Sequence, residues 1–383
     1  MRRLLILLLV IQNFYSASAQ EEIMPTAPRG YIQSGVCLQM WRQETIIEEP
    51  ILQVTIPVHI AIPVNSSLGL TFDYSYARTD WDWQRTNMSG FNDPYIQGNL
   101  MLWDKKLLLF AGMGIPVGKT RLNYDEYFLS TILSLNIFRF RSPVYGQGFH
   151  GKLGALVAYP VMDGLVVGAG GSFVYRRKFI PIFSNNWNDQ GYPADGYFDP
   201  GEEMNAHLGF DLSLSENMKI MVDGIFTYFQ KDKYNSPDYV FQSGMKVTLN
   251  GGYFYRYDEQ YVWALFNYRT KNNNSALQAL QFGEEKLNTN RPQLDVNLIW
   301  KAFALQGGGV QVLIDGRFYA ENEVGLSSAQ AIGGGFGGNY RFSYTTVLDF
   351  YVKYMVGQRL SSVDTDKLNI EGMDVGITFR YEF

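Results

Sequence analysis

From Met373 to Phe383 the chain alternates without a break. Met373, Val375, Ile377, Phe379, Tyr381 and Phe383 fall on one face, and Asp374, Gly376, Thr378, Arg380 and Glu382 on the other. A period of two describes a β-strand with one apolar and one wetted side. The pattern recurs: Leu68, Leu70, Phe72, Tyr74 and Tyr76 oppose Ser67, Gly69, Thr71, Asp73 and Ser75, and similar segments run over Asn205 to Leu214, Leu294 to Lys301 and Val310 to Phe318. Repeated half-apolar strands of about ten residues are the pattern of a transmembrane barrel. Lipid offers no partner for backbone N–H and C=O groups, so strands cross it only as a closed sheet with no free edge.

The start of the chain points to export. Met1-Arg2-Arg3 is basic, Leu4 to Ile11 is an unbroken apolar run, and Ala17-Ser18-Ala19 is a small-residue cleavage site. Residues 1–19 are therefore expected to be a signal peptide, 20–30 a short periplasmic N-terminus and 31–383 the barrel. No stretch approaches the roughly 20 apolar residues of a membrane-spanning helix. Phe, Tyr and Trp make up 15% of residues, as two interfacial aromatic girdles require. A net charge of −5 argues against nucleic acid as a partner. The single cysteine, Cys37, has no internal disulfide partner and reads as a small strand residue.

Turn-forming residues divide the connections into two kinds. Short turns are expected at Asn65-Ser66, Asp104 to Lys106, Met162 to Gly164, Ser215 to Asn217, Asp258-Glu259, Ala304 to Gly308 and around Arg341. Longer loops are expected near 43–50, 77–93, 117–149, 177–203, 231–238, 270–291, 320–329 and 357–368. The two kinds alternate along the chain, as tight periplasmic turns and long external loops do. The fold class is thus all-β, a transmembrane antiparallel β-barrel of about sixteen strands, with fourteen as the nearest alternative. The closing Met373–Phe383 strand is expected to pair with the strand near residues 31 to 42, and Phe379, Tyr381 and Phe383 to act as the signal read by the barrel-insertion machinery.

Candidate chemistry is sparse. The three histidines, His59, His150 and His207, show no motif that pairs them with a nucleophile, and no metal-ligand spacing of His and Cys occurs. The chain reads as neither an enzyme nor a cofactor or metal protein. Asp189, Asp195, Asp199, Glu202 and Glu203 form an acidic cluster that turn chemistry explains as well as calcium binding would. Arg176-Arg177-Lys178 suits either lipopolysaccharide phosphates at the outer rim or a charged collar. Asp73, Asp211, Asp223, Asp315, Arg317, Asp349, Lys353 and Arg380 fall on lumen faces and are the expected pore-lining set, with Asp295, Lys152, Lys219, Lys246 and Lys301 beside them. Between Asp125 and Phe138 the period changes: Tyr124, Tyr127, Phe128, Thr131, Leu135 and Phe138 recur at helical spacing, with Leu129, Ile132 and Leu133 as a second stripe. So apolar a loop helix needs cover. Folding into the barrel mouth as an apolar entry segment and packing on the rim both supply it.

Gly90-Phe91-Asn92-Asp93-Pro94-Tyr95 leads into a strand pair that ends in Ile115-Pro116-Val117-Gly118-Lys119, and Phe140-Arg141-Ser142-Pro143-Val144 follows the apolar segment. Over about 60 residues this resembles the FadL-like and phenol meta-pathway channels for hydrophobic compounds, although Asn92 stands in place of a glycine and Val117 in place of a threonine. The chain also resembles uncharacterised outer-membrane barrels of Bacteroidota. The first resemblance implies a channel in the cell outer membrane for passive uptake of small hydrophobic solutes, with Asp93 and Pro116 shaping a loop beside the entry. The expected partners are outer-membrane lipid, lipopolysaccharide, the insertion machinery and a small-molecule solute. The competing expectation is a structural or interaction barrel with an occluded lumen that anchors an envelope complex.

Overall fold

The structure is a computed structural model that describes residues 29–44, 47–81, 86–180, 197–234, 239–278, 281–305, 307–323, 328–360 and 367–383. The expected signal peptide and the acidic positions 189 and 195 lie outside these residues. In chain order the strands are β1 (Tyr31–Gln43), β2 (Ile47–Pro63), β3 (Leu68–Trp81), β4 (Thr86–Phe91), β5 (Tyr95–Leu102), β6 (Leu107–Gly114), β7 (His150–Met162) and β8 (Leu165–Arg176). Next come β9 (Phe198–Asp199), β10 (Glu203–Ser215), β11 (Met218–Phe229), β12 (Asp232–Tyr234), β13 (Tyr239–Gln242), β14 (Lys246–Tyr257) and β15 (Gln260–Lys271). The last are β16 (Ser275–Gln278), β17 (Gln281–Glu284), β18 (Gln293–Leu305), β19 (Gly308–Tyr319), β20 (Ala329–Arg341), β21 (Thr346–Leu360) and β22 (Lys367–Glu382). One helix, α1 (Tyr124–Leu133), lies between β6 and β7.

Sixteen strands close an antiparallel barrel. Each pairs with the next barrel strand, and β22 returns to β1 in unbroken register from Tyr31↔Glu382 to Gln43↔Ile370. That pairing removes the last free edge. Strand β4 is not a seventeenth wall strand: it pairs with the upper half of β3, from Tyr76↔Phe91 to Trp81↔Thr86, while β5 pairs with the lower half. Residues 92–94 break one wall strand into these two pieces.

The outward face is the apolar one, with Val36, Leu70, Leu208, Phe226, Ile332, Val352 and Phe379 exposed on it. Among the described residues no helix is long and apolar enough to cross a membrane.

Several expected loops are strand. Positions 43–50 are mostly the end of β1 and the start of β2, and positions 77–93 hold the top of β3 and all of β4. Strands β21 and β22 likewise extend into positions 357–368. The sheet continues beyond the lipid, where outward residues no longer need to be apolar. Arg42 pairs with Glu371 at 3.5 Å and Arg78 with Asp80 at 2.9 Å on that outer surface, so the alternation is lost although pairing persists. The expected loops 177–203, 231–238 and 270–291 also contribute strands, to a small second sheet in the order β9-β12-β13-β16-β17.

Candidate functional site: a segment folded into the lumen

Residues 115–149 enter the barrel. The entry point is fixed by Asp93, whose Oδ1 accepts from the Gly118 N–H at 2.7 Å and whose Oδ2 accepts from the Gln147 N–H at 2.7 Å. One carboxylate thus ties both ends of the segment together. Gly118 is required there, because a Cβ would run into the carbonyl of Tyr145.

Helix α1 begins at a reciprocal cap. The Asn123 side chain accepts from the Glu126 N–H at 2.9 Å, and the Glu126 carboxylate accepts from the Asn123 N–H at 3.1 Å. Glu126 also pairs with Lys119. The helix ends at Leu133, earlier than the periodicity predicts, and the chain continues through a turn to Arg139, a non-glycine residue at φ 51°.

The apolar side of the segment meets the wall. Leu129, Ile132, Leu133, Ile137, Phe138, Phe140 and Tyr145 form one buried cluster with Trp41, Ile51, Ala77, Trp81 and Met88 on β1–β4 and Tyr319, Ala329, Ala331, Met355 and Ile370 on β19–β22. Phe128 stacks on Trp81 with ring centroids 5.8 Å apart, and Phe138 meets Trp41 at 5.2 Å. Each fully buried side chain of this size contributes about 1.5–3 kcal/mol over its exposed state. A glycine on β22, Gly372, makes room for the Trp41 ring, which would overlap any Cβ there.

Polar contacts fix the register of the insertion. The Gln53 amide is fully buried: Nε2 donates to the Ser142 carbonyl at 2.9 Å and Oε1 accepts from the Ser142 N–H at 2.9 Å. Gln39, its cross-strand neighbour, donates to the Arg139 carbonyl at 3.0 Å and accepts from the Arg141 N–H at 2.7 Å. Two side-chain amides therefore replace the strand partners that this stretch of backbone lacks. Arg317 donates to the Ile137 carbonyl, and the Tyr319 hydroxyl to the Asn136 carbonyl at 2.9 Å. Arg139 pairs with Asp295 at 2.5 Å, which Arg269 shares at 2.7 Å. Arg141 donates to the Tyr351 hydroxyl, which donates to Asp374 at 2.7 Å. Tyr145 donates to the Met88 carbonyl at 3.1 Å and contacts Thr79 Oγ1 at 2.8 Å. Burial pushes its phenol up to about 12, against the opposing pull of the Thr79 hydrogen bond.

The expected site residues separate on this geometry. Phe128, Leu135 and Phe138 join or border the cluster, but Tyr127 and Thr131 lie on the exposed side of the segment. The helix presents its apolar side to the wall and its hydroxyls to water, so Tyr127, Thr131 and Phe138 do not share a surface. All eight expected pore-lining residues occupy lumen-facing strand positions. Asp73, Asp211, Asp223 and Lys353 are half-buried, whereas Asp315, Arg317, Asp349 and Arg380 are buried. Arg317 and Asp315 bond each other at 3.1 Å beneath the segment and do not line open water. The members that sequence reasoning missed are Gln39, Gln53, Trp41, Trp81, Tyr319 and Met355. For Trp41, Trp81, Tyr319 and Met355 the one signal is a large apolar residue at a lumen position of a strand whose outward positions are already apolar; the two glutamines have none.

Strands β5–β18 supply no member of the apolar cluster. Their lumen face carries a small apolar cluster of Leu108, Phe110 and Leu156 and, beside it, a polar row: Thr227 donates to Asn205 at 2.8 Å, Asn250 to Asp223 at 3.3 Å, and Asn267 to Asn250 at 2.5 Å. His59 sits against Asp73 at 2.5 Å and His150 stacks on Tyr95, both on the barrel wall. Among the described residues no group of His, Cys, Asp and Glu could hold a metal ion.

A closed sixteen-strand sheet with an apolar outer belt, and with ionised side chains turned into the lumen, defines an outer-membrane β-barrel of porin-like architecture, located in the bacterial outer membrane. No protein-family model and no curated protein matches the chain. Among solved structures it is similar to the CymD monoaromatic hydrocarbon channel, at 12% identity over 94% of this chain and 89% of that chain, with a TM-score of 0.43. A deltaS2 mutant of the TodX monoaromatic hydrocarbon channel is similar at 9% identity over 97% of this chain and 94% of that one, with a TM-score of 0.46. A loop-deletion mutant of OmpT, an outer membrane protein of Vibrio cholerae, is similar at 12% identity over 92% and 99%, with a TM-score of 0.40. Identities and scores are low, and the barrel assignment stands on the closed sheet itself.

Proposed function

We propose that the protein is a passive outer-membrane channel for small solutes whose bore is narrowed from within by residues 115–149. The observation that carries this reading is the one-sidedness of the insertion. The segment buries its apolar side against β1–β4 and β19–β22, while the lumen face of β7–β15 keeps half-buried polar groups such as Asn205, His207, Asp223, Asn250 and Asn267. A solute moving along that face would meet Asp211, Asp223 and the amide row on one side and the hydroxyls of α1 on the other. Apolar solutes are the class that the resemblance implies, and their passive uptake stays in the reading on that footing. The side chains expected to seat them, Phe128 and Phe138, are engaged with Trp81 and Trp41.

A second reading, an occluded barrel that anchors an envelope complex, draws on the same clasp: Gln39, Gln53, Arg317 and Tyr319 hold the segment's backbone as a stopper would be held. Uptake into liposomes decides between them. Proteoliposomes that admit phenol and small sugars faster than protein-free ones support the channel. Admission at the protein-free rate, for every solute tried, leaves only the occluded barrel. Uptake of phenol but not of sugars singles out the apolar class.

A further inference from the structure

We infer that the lumen wall left uncovered by the inserted segment carries a binding site for small anions, formed by Lys246 and Lys271 beside Phe229, with Lys152 farther along the same wall. Several other lumen-wall cations are matched with carboxylates. Lys219 meets Asp211 at 2.9 Å, Arg269 meets Asp295 at 2.7 Å, Lys353 meets Asp315 at 3.4 Å, and Arg380 meets Glu382 at 3.3 Å. Lys152, Lys246 and Lys271 differ: among the described residues none has a carboxylate at ion-pair distance. Lys246 and Lys271 are moreover direct cross-strand partners on β14 and β15. Like charges placed opposite one another destabilise a sheet, so a wall shaped by stability alone would put an acid at one of the two positions.

The surroundings hold the lysines without neutralising them. The ammonium groups of Lys246 and Lys271 lie 5.6 and 5.3 Å from the centre of the Phe229 ring, and Lys271 donates to Ser243 Oγ at 3.0 Å. Lys152 lies over the Phe110 ring at 5.3 Å, in the same hydrogen-bonded row as Glu203 and Phe229. Glu203 is engaged by Arg176 at 2.7 Å, and Asp232 accepts from the Gly201 N–H at 2.7 Å. Among the described residues of this stretch, four cations, Lys152, Arg176, Lys246 and Lys271, stand against the carboxylates of Glu203 and Asp232, in a chain whose net charge is −5. A surplus of this sign at the mouth of a water-filled lumen concentrates anions there, and a ring of Lys and Arg is how anion pores select. The class of ligand is a small carboxylate or phosphate, with the Phe229 ring available to the flat body of an aryl carboxylate.

This deepens the channel reading by naming the charge of solute the bore favours, and it rests on that reading for transport but not for binding. Two measurements separate the levels. In the first, acetylation of lysines in the folded barrel is followed by mass spectrometry with benzoate, inorganic phosphate or uncharged benzyl alcohol present. Benzoate or phosphate, at twice its dissociation constant, is expected to slow labelling of Lys246 and Lys271 by about threefold. Lys105 and Lys106 in the β5–β6 turn should label at an unchanged rate. Unchanged labelling of Lys246 and Lys271 with both anions, or equal protection by benzyl alcohol, would overturn the site. Protection by benzoate alone assigns it to organic carboxylates. In the second, the zero-current potential across a KCl gradient should show chloride preference that K246Q/K271Q loses. Cation preference in the native barrel, or a preference the variant keeps, contradicts the inference. A barrel that passes no current defeats the channel reading, while the labelling experiment still decides the site.

Discussion

Replacing Gln53 and Gln39 by leucine attacks the insertion at its narrowest support. Gln53 satisfies the N–H and C=O of Ser142, and Gln39 satisfies the Arg139 carbonyl and the Arg141 N–H, all inside a buried cluster. Leucine keeps most of the volume and removes every polar atom. Each single variant strands two backbone groups, at about 1–3 kcal/mol apiece if no water reaches them. The gross cost is therefore roughly 2–6 kcal/mol per variant, and we expect about 2–4 kcal/mol after partial hydration. At about tenfold per 1.4 kcal/mol, the released form of the segment should rise by roughly 30- to 1,000-fold in each single variant and further in the double one. The assay is tryptic digestion of the folded barrel, with peptides ending at Arg139 and Arg141 quantified by mass spectrometry and heat-modified gel migration confirming that the barrel stays closed. In the native protein both arginines are held, Arg139 by Asp295 and Arg141 by Tyr351, and should be cut slowly. If Q53L and Q39L are cleaved there no faster than the native chain while the barrel remains closed, the amide clasps do not hold the segment.

Three further outcomes are expected. Gly376→Val should free the same tryptic sites, because a Cβ there overlaps the Tyr351 ring and drives its hydroxyl away from Arg141 and Asp374; overpacking of this kind costs about 1–3 kcal/mol, and unchanged cleavage at Arg141 would refute it. Docking should weaken in alkali: the Tyr145 phenol rises from 10.0 free to about 12 when docked, so its contribution, at most about 3 kcal/mol, is complete below pH 10 and fades as pH climbs toward 12. Tryptophan fluorescence should report this through Trp81 and Trp41, and a Tyr145→Phe variant should lack the step. If Phe379, Tyr381 and Phe383 form the expected insertion signal, Phe383→Ser should slow assembly into the outer membrane without altering the finished barrel, since Phe383 lies after the closing strand with its ring against Gly30; assembly kinetics equal to those of the native chain would remove Phe383 from that signal.

The barrel was legible because lipid imposes its own pattern on sequence. Wherever a strand faces hydrocarbon, as at Ile377, Phe379 and Tyr381 or Leu208 and Phe210, one side must be apolar, and repetition of that demand gave the strand number and the turns. Above the lipid the demand lapses. Arg42 and Arg78 point outward on strands that still pair, and the pattern there looks like loop. The inserted helix was visible as a change of period near Phe128, yet which of its faces meets the wall was not. Tyr127 and Leu129 are both large and largely apolar, and only the position of Trp41, Trp81 and Met355 on the opposing wall decides that Leu129 is buried. That apolar patch forms from strands distant in sequence, after the register is set. Gln39 and Gln53 carried no signal at all, because a glutamine on a lumen face is equally what a wetted wall contains. Lys246 was readable as a lumen charge, whereas Lys271 fell in the expected loop 270–291, and their opposition depends on the β14–β15 register.

The central claim, a bore narrowed by a docked segment, is tested most directly by planar-bilayer conductance of the native barrel beside a variant lacking residues 124–140. The native protein should insert in discrete conductance steps, and the deletion should enlarge each step. A native barrel that gives no steps, or a deletion whose steps are the size of the native ones, would contradict it.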